Sequence, residues 1–104
     1  MPTEIDLTIV TMTFDATDPD PLLAVLANYV VTSRGHPGCI NIDLATSATT
    51  VNRFVVIQKW AAPEDQRRHF DSDDMVTMAR GCEGLLRNAP QIDLLLAISA
   101  HDQV

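Results

Sequence analysis

Hydrophobic and polar residues alternate over residues 5 to 14, IDLTIVTMTF. Ile5, Leu7 and Ile9 share one face, and Thr8, Val10, Met12 and Phe14 share the other. A period of two with β-branched residues predicts a strand with both faces partly covered. Ala16 to Asp20 reads as a turn, and Asp18-Pro19-Asp20-Pro21 offers two aspartate–proline helix starts. Leu22, Leu26, Tyr29 and Val30 then recur at helical spacing, which predicts an amphipathic helix over roughly residues 21–34. Gly35 and Pro37-Gly38 stop it.

Alternation returns in CINIDLAT, residues 39–46, a second strand, and a polar hairpin loop follows over 47–52. RFVVIQKW, residues 53–60, is the third strand, with Phe54, Val56, Gln58 and Trp60 pointing one way. A short helix begins at Pro63, with Glu64 and Asp65 where negative charge suits the helix dipole. Ser72-Asp73-Asp74 reads as a fresh cap. Met75, Met78, Ala79, Cys82, Leu85 and Leu86 form one stripe, so a longer helix is expected over about 73–88. Gly81 and Gly84 weaken it by about 1 kcal/mol each relative to alanine, and close packing is a reason to keep them. Asn88 and Pro90 end it, and Ile92 to Ile98 is the last strand.

Strand, helix, strand, strand, helix, strand is the ferredoxin-like βαββαβ order. The fold class is α+β, an antiparallel sheet with helices on one face. The other sheet face also carries apolar groups. Two such sheets packed face to face in a homodimer would cover it.

Composition narrows the function classes. The 104 residues, 46% hydrophobic, fit a single domain over 1–104 with one core. The net charge of −7 gives no electrostatic footprint for nucleic acid or an anionic membrane. Apolar runs are too short to span a bilayer. MPTEIDLTIV has neither a basic n-region nor a cleavable apolar core, so a cytoplasmic protein is expected. Cys39 and Cys82 lack zinc-site spacing and read as reduced, buried thiols, and no metal site is expected. No Gly-rich phosphate loop supports a nucleotide or flavin site.

HPGC followed by INIDLATS, then RFVVIQKW and a short helix ending in His69-Phe70 with Ser72 beyond, resembles the antibiotic biosynthesis monooxygenase domain from about residue 5 to residue 100. The resemblance implies a dimeric α+β barrel of ferredoxin-like protomers. It also implies oxidation of quinols, anthrones and related phenols by dioxygen without a cofactor; other members degrade haem or isomerise a sugar derivative. On the pattern of the anthrone-oxidising members, Trp60 corresponds to a cavity-lining tryptophan and Arg80 to an implicated arginine. Val56 and Gln66 stand where those members carry asparagine and tyrosine. On the pattern of the quinol-oxidising branch, His69 keeps a histidine and Gln58 replaces a glutamate. The haem-degrading residues are replaced by His69 and Met78.

Such chemistry needs a base, donors for a developing oxyanion and a dry cavity. His69 is the expected base, with Arg80 stabilising the anion. Trp60 could stack on a planar ring, and Gln58 or Asn41 could orient the substrate oxygen. Each has a structural alternative. Trp60 also suits a core residue closing the sheet. His69 also suits a capping position, Arg80 a pair with Asp73, Asp74 or Glu83, and Asn41 a dimer interface. His36, before a proline, reads as a loop residue. The expected reading is a homodimeric monooxygenase acting on a small aromatic substrate with dioxygen and no cofactor. The alternatives are a non-catalytic small-molecule-binding dimer, or an isomerase or cyclase in which His69 shuttles protons.

Overall fold

The computed structural model describes residues 7–98. Its elements are β1 (Thr8–Asp15), α1 (Pro19–Ser33), β2 (Cys39–Thr46), β3 (Arg53–Trp60), α2 (Pro63–Phe70), α3 (Asp73–Gly81) and β4 (Gln91–Leu96). The strands form one antiparallel sheet in the order β2-β3-β1-β4. This is the expected α+β ferredoxin-like βαββαβ arrangement. Ile5, placed in the first strand from its alternation, lies outside the described residues.

Register decides which residues enter the core. Thr8 lies opposite Trp60, Val10 opposite Gln58, Met12 opposite Val56 and Phe14 opposite Phe54. Ile42 meets Gln58 from the other side. All nine are buried, and so are Leu22, Leu26, Tyr29 and Val30 on the inner stripe of α1. Each large apolar side chain so buried contributes about 1.5–3 kcal/mol relative to exposure. The alternate positions Ile9, Thr11, Thr13, Val55 and Ile57 are only half-buried on the opposite face. β4 is an edge strand, exposed along its whole length, with Ile92, Leu94, Leu95 and Leu96 all solvent-facing.

Three elements differ from the sequence expectation. β4 covers Gln91–Leu96 and stops short of Ile98. α1 begins at Pro19, because proline already holds the backbone angle that the first helical turn needs. α3 stops at Gly81 instead of near residue 88. Gly84 has φ +77°, a left-handed conformation that cannot continue a right-handed helix. The chain turns back there to the end of β1. Thr17 N donates to Leu85 O at 2.9 Å, and Arg87 N donates to Asp15 O at 2.8 Å. Leu85 and Leu86 still pack on the core, but from a turn.

Gly81 also sets how closely α3 approaches α1. A Cβ there would lie 2.8 Å from Val25 Cγ1, inside contact distance.

Candidate functional site

Five parts of the chain converge behind the central strand. Trp60 and Gln58 project inward from β3, two residues apart on one face. Tyr29 comes down from the apolar stripe of α1. His69 lies on the buried side of the last turn of α2. Asp74 sits in the first turn of α3, which Ser72 starts by accepting from Met75 N at 3.3 Å. His36 lies on the loop after α1. That loop is fixed by Gly38, which takes φ +79° and accepts from Ala61 N at 2.8 Å.

These side chains form a continuous hydrogen-bonded chain. Trp60 Nε1 donates to Gln58 Oε1 at 2.9 Å. Gln58 Nε2 donates to Tyr29 Oη at 2.5 Å and reaches Met12 Sδ at 3.3 Å. Tyr29 Oη lies 2.6 Å from His69 Nε2. His69 Nδ1 lies 2.9 Å from His36 Nδ1, and His36 Nε2 lies 2.6 Å from Asp74 Oδ2.

Donor inventory fixes the core end of this chain. An indole N–H can only donate, so Gln58 must present its oxygen to Trp60 and its NH₂ to Tyr29, whose Oη accepts. Beyond Tyr29 the direction of each hydrogen bond is set by the tautomers of His69 and His36.

Burial, helped by the neighbouring His36 and opposed by Asp74, lowers the His69 pKa to about 4. Burial likewise pushes the Tyr29 phenol well above its usual 10. The His69 ring stacks on Trp60, centroids 4.6 Å apart and planes at 29°, and meets His36 edge-on at 4.7 Å.

The network opens to a groove of about 310 Å³ between α1 and α3, lined by Val25, Asn28, Tyr29, Asp74, Thr77 and Gly81 among others. On the other side of α3 an apolar pocket of about 200 Å³ lies against Met12, Phe14 and Met78.

Trp60, Gln58 and His69 are thus brought together, but as a packed cluster. The face of Trp60 is covered by His69, and all three side chains are buried. His69, with both ring nitrogens engaged and its pKa near 4, connects other groups and stays a neutral imidazole, without a second proton, at neutral pH. Two expected residues lie elsewhere. Arg80 is exposed on α3, outside the hydrogen-bonded chain and in none of the ion pairs among the described residues. Asn41 is exposed, pairs in register with Lys59 on the opposite sheet face and donates to Asp43 Oδ2 at 2.9 Å. Tyr29, His36 and Asp74 were not singled out by sequence. The available signal was the buried tyrosine itself, whose hydroxyl needs a partner. Among the described residues no three His, Cys, Asp or Glu side chains converge as a metal site; the two histidines and Asp74 lie in a row.

The chain matches the antibiotic biosynthesis monooxygenase family over residues 7–81. No curated protein matches it significantly. Among solved structures, a candidate antibiotic biosynthesis monooxygenase from Caulobacter crescentus superposes with a TM-score of 0.83 at 19% identity, covering 90% of this chain and 92% of that one. SnoaB, a cofactor-independent oxygenase from Streptomyces nogalater, gives a TM-score of 0.80 at 19% identity over 91% and 96%. A Pseudomonas aeruginosa protein gives 0.77 at 26% identity over 93% and 100%.

Proposed function

Since the chain belongs to the antibiotic biosynthesis monooxygenase family, we propose that it oxidises a small aromatic hydroxyl compound, a quinol or polyketide-like phenol, with dioxygen and no tightly held cofactor. The observation that carries this reading is the unbroken hydrogen-bonded chain from Trp60 to Asp74, beside a groove. SnoaB, of the same fold, is a cofactor-independent oxygenase.

The chemistry begins with a proton. A substrate hydroxyl in the groove loses its proton to the chain, which passes it to Asp74 and then to solvent. The electron-rich anion gives one electron to dioxygen. The two radicals join to form a carbon–oxygen bond, and the hydroperoxide loses water to leave a carbonyl. One dioxygen is consumed, one of its atoms stays on the product and the other leaves as water. Asn28 and Thr77, polar residues of the groove wall, can donate hydrogen bonds to substrate oxygens.

Oxygen uptake with hydroquinones, naphthalenediols and anthrones tests this reading. Turnover should consume one dioxygen per substrate and fall by about 100-fold in His69→Ala. No uptake with any of these compounds would refute the activity. Uptake that survives both His69→Ala and Trp60→Phe would refute the site.

The working unit is proposed to be a homodimer of this single domain. The support is the half-buried apolar face of the sheet and the exposed residues Ile92, Leu94, Leu95 and Leu96 of β4. A monodisperse monomer by light scattering at micromolar concentration would sink it.

A further inference from the structure

The helices cover the inner face of the sheet unevenly. Ile92 and Leu94 of β4 lie opposite Met12 and Val10, so all four side chains point to the helical side. Val10 and Met12 are buried there, whereas Ile92 and Leu94 are 45% and 60% exposed. The gap is a cavity of about 350 Å³ between α2 and the β1–β4 edge, walled by Val10, Phe70, Ile92 and Leu94. Its size is that of a small-molecule site, and it shares no lining residue with the α1–α3 groove.

Three polar residues of α2 and its C-cap reach the same cavity: Gln66, Arg67 and Asp71. Gln66 is only 4% exposed, yet its carboxamide makes no hydrogen bond among the described residues. Among those residues the fully enclosed side-chain atoms without a partner are Thr8 Oγ1 and Ser33 Oγ. The Gln66 amide is not one of them, so it opens to the cavity that Gln66 lines. A buried amide needs hydrogen-bond partners, and water or a ligand in the cavity must supply them.

Arg67 and Asp71 stand at the rim. Asp71 N donates to Arg67 O at 3.2 Å, so helical spacing runs through both residues and their side chains are neighbours, about 5–6 Å apart at Cβ. Arg67 is held loosely by Glu64 at 3.5 Å, with the two side chains 66% and 67% exposed. Asp71 takes part in no ion pair among the described residues.

We propose that this cavity binds a free apolar α-amino acid of the size of leucine or phenylalanine. The Arg67 guanidinium takes the α-carboxylate and the Asp71 carboxylate takes the α-ammonium. The ligand's side chain fills the space between Phe70, Ile92 and Leu94. Gln66 completes the head-group site, donating through Nε2 to the carboxylate or accepting through Oε1 from the ammonium.

The charge pattern selects this class. One cation beside one anion matches a zwitterion. A simple carboxylic acid would meet Asp71 as a like charge, a simple amine would meet Arg67, and an uncharged phenol would answer neither. Asp71 also caps the C-terminal end of α2, where the last carbonyls favour a positive group. The inference stands apart from the proposed oxidation, which uses other residues and another cavity.

The test is an amide chemical-shift titration of the ¹⁵N-labelled full chain with L-leucine and L-phenylalanine. Saturable shifts are expected at Gln66, Arg67, Phe70, Asp71 and Leu94. N-acetyl-leucine lacks the ammonium and leucinamide lacks the carboxylate, so each should bind about 10-fold or more weakly than leucine. Arg67→Gln and Asp71→Asn should each weaken leucine by about 10-fold or more, and both residues are exposed, so the fold is expected to persist. Asp71→Asn should leave N-acetyl-leucine unchanged, because that compound has no ammonium to lose; a merely structural effect would weaken both.

The absence of saturable shifts with millimolar leucine or phenylalanine overturns the proposal. So does binding of N-acetyl-leucine and leucinamide as tight as that of leucine, which assigns the cavity to apolar bulk alone. Shifts at these residues that follow protein concentration and ignore the amino acid assign the face to a second copy of the chain, and overturn it as well. Oxygen uptake with phenols is scored separately, and its failure leaves the outcome of this titration standing.

Discussion

Tyr29→Phe removes one oxygen atom and nothing else, which makes it the sharpest probe of the buried chain. Two hydrogen bonds disappear, at 2.5 Å from Gln58 and 2.6 Å to His69. Each is worth about 1 kcal/mol net. His69 Nε2 is then left buried without a hydrogen-bond partner, which costs a further 1–3 kcal/mol or so. Gln58 keeps Met12 Sδ at 3.3 Å, a weak acceptor that limits its share of the loss. The expected destabilisation is roughly 2–4 kcal/mol, a sizeable fraction of the 5–15 kcal/mol typical of a domain. Urea unfolding at a fixed protein concentration measures it, with the m-value unchanged because the variant is nearly isosteric. Imidazole ¹⁵N NMR of wild type provides the second half of the experiment. His69 should appear as a neutral imidazole locked in one tautomer near pH 7. A stability change below about 0.5 kcal/mol, the range of an indifferent surface substitution, would refute the network. So would a His69 that is doubly protonated at neutral pH.

Acid should destabilise the fold through His69. Its folded pKa is lowered to about 4 while the unfolded value is near 6.5, so the unfolded chain binds more protons between the two. Stability is then complete above about pH 6.5 and declines as pH falls toward about 4, and this slope should vanish in His69→Phe when unfolding is followed across pH. Arg80→Ala should change stability by less than about 0.5 kcal/mol and leave oxygen uptake intact, because the side chain is exposed and outside the chain of hydrogen bonds. Gly38→Ala should cost about 3 kcal/mol or more by thermal unfolding. Its backbone is left-handed at φ +79°, and the added Cβ would clash with the Asp65 side chain.

The strands and their order were legible because alternation is a local property, and the sheet uses the even positions of β1 and β3 as its inner face. α3 was overextended because Leu85 and Leu86 continue its apolar stripe; the turn at Gly84 overrides that pattern, yet both leucines still reach the core. The site was only half legible. Trp60 and Gln58 lie on one strand, so their proximity follows from spacing. Tyr29 and His69 are 40 residues apart, and His36 and Asp74 are 38 apart. Their meeting depends on how α1, the following loop and α3 pack, which no local pattern carries. His36 read as a loop residue and is one; its chemistry comes from what that loop touches. Asn41 and Arg80 had suitable chemistry at suitable spacing, but the register and the helix face turn both toward solvent.

The contact between Gly81 and Val25 constrains how this sequence can drift. Position 81 has no room for a methyl group while a β-branched side chain occupies position 25. A smaller residue at 25 releases that restriction, so relatives carrying alanine at 81 should carry alanine or glycine at 25. The two positions should covary as a pair although 56 residues separate them. The pair also sets the width of the groove between α1 and α3, so a history of exchange at these two sites would be a history of changing ligand size.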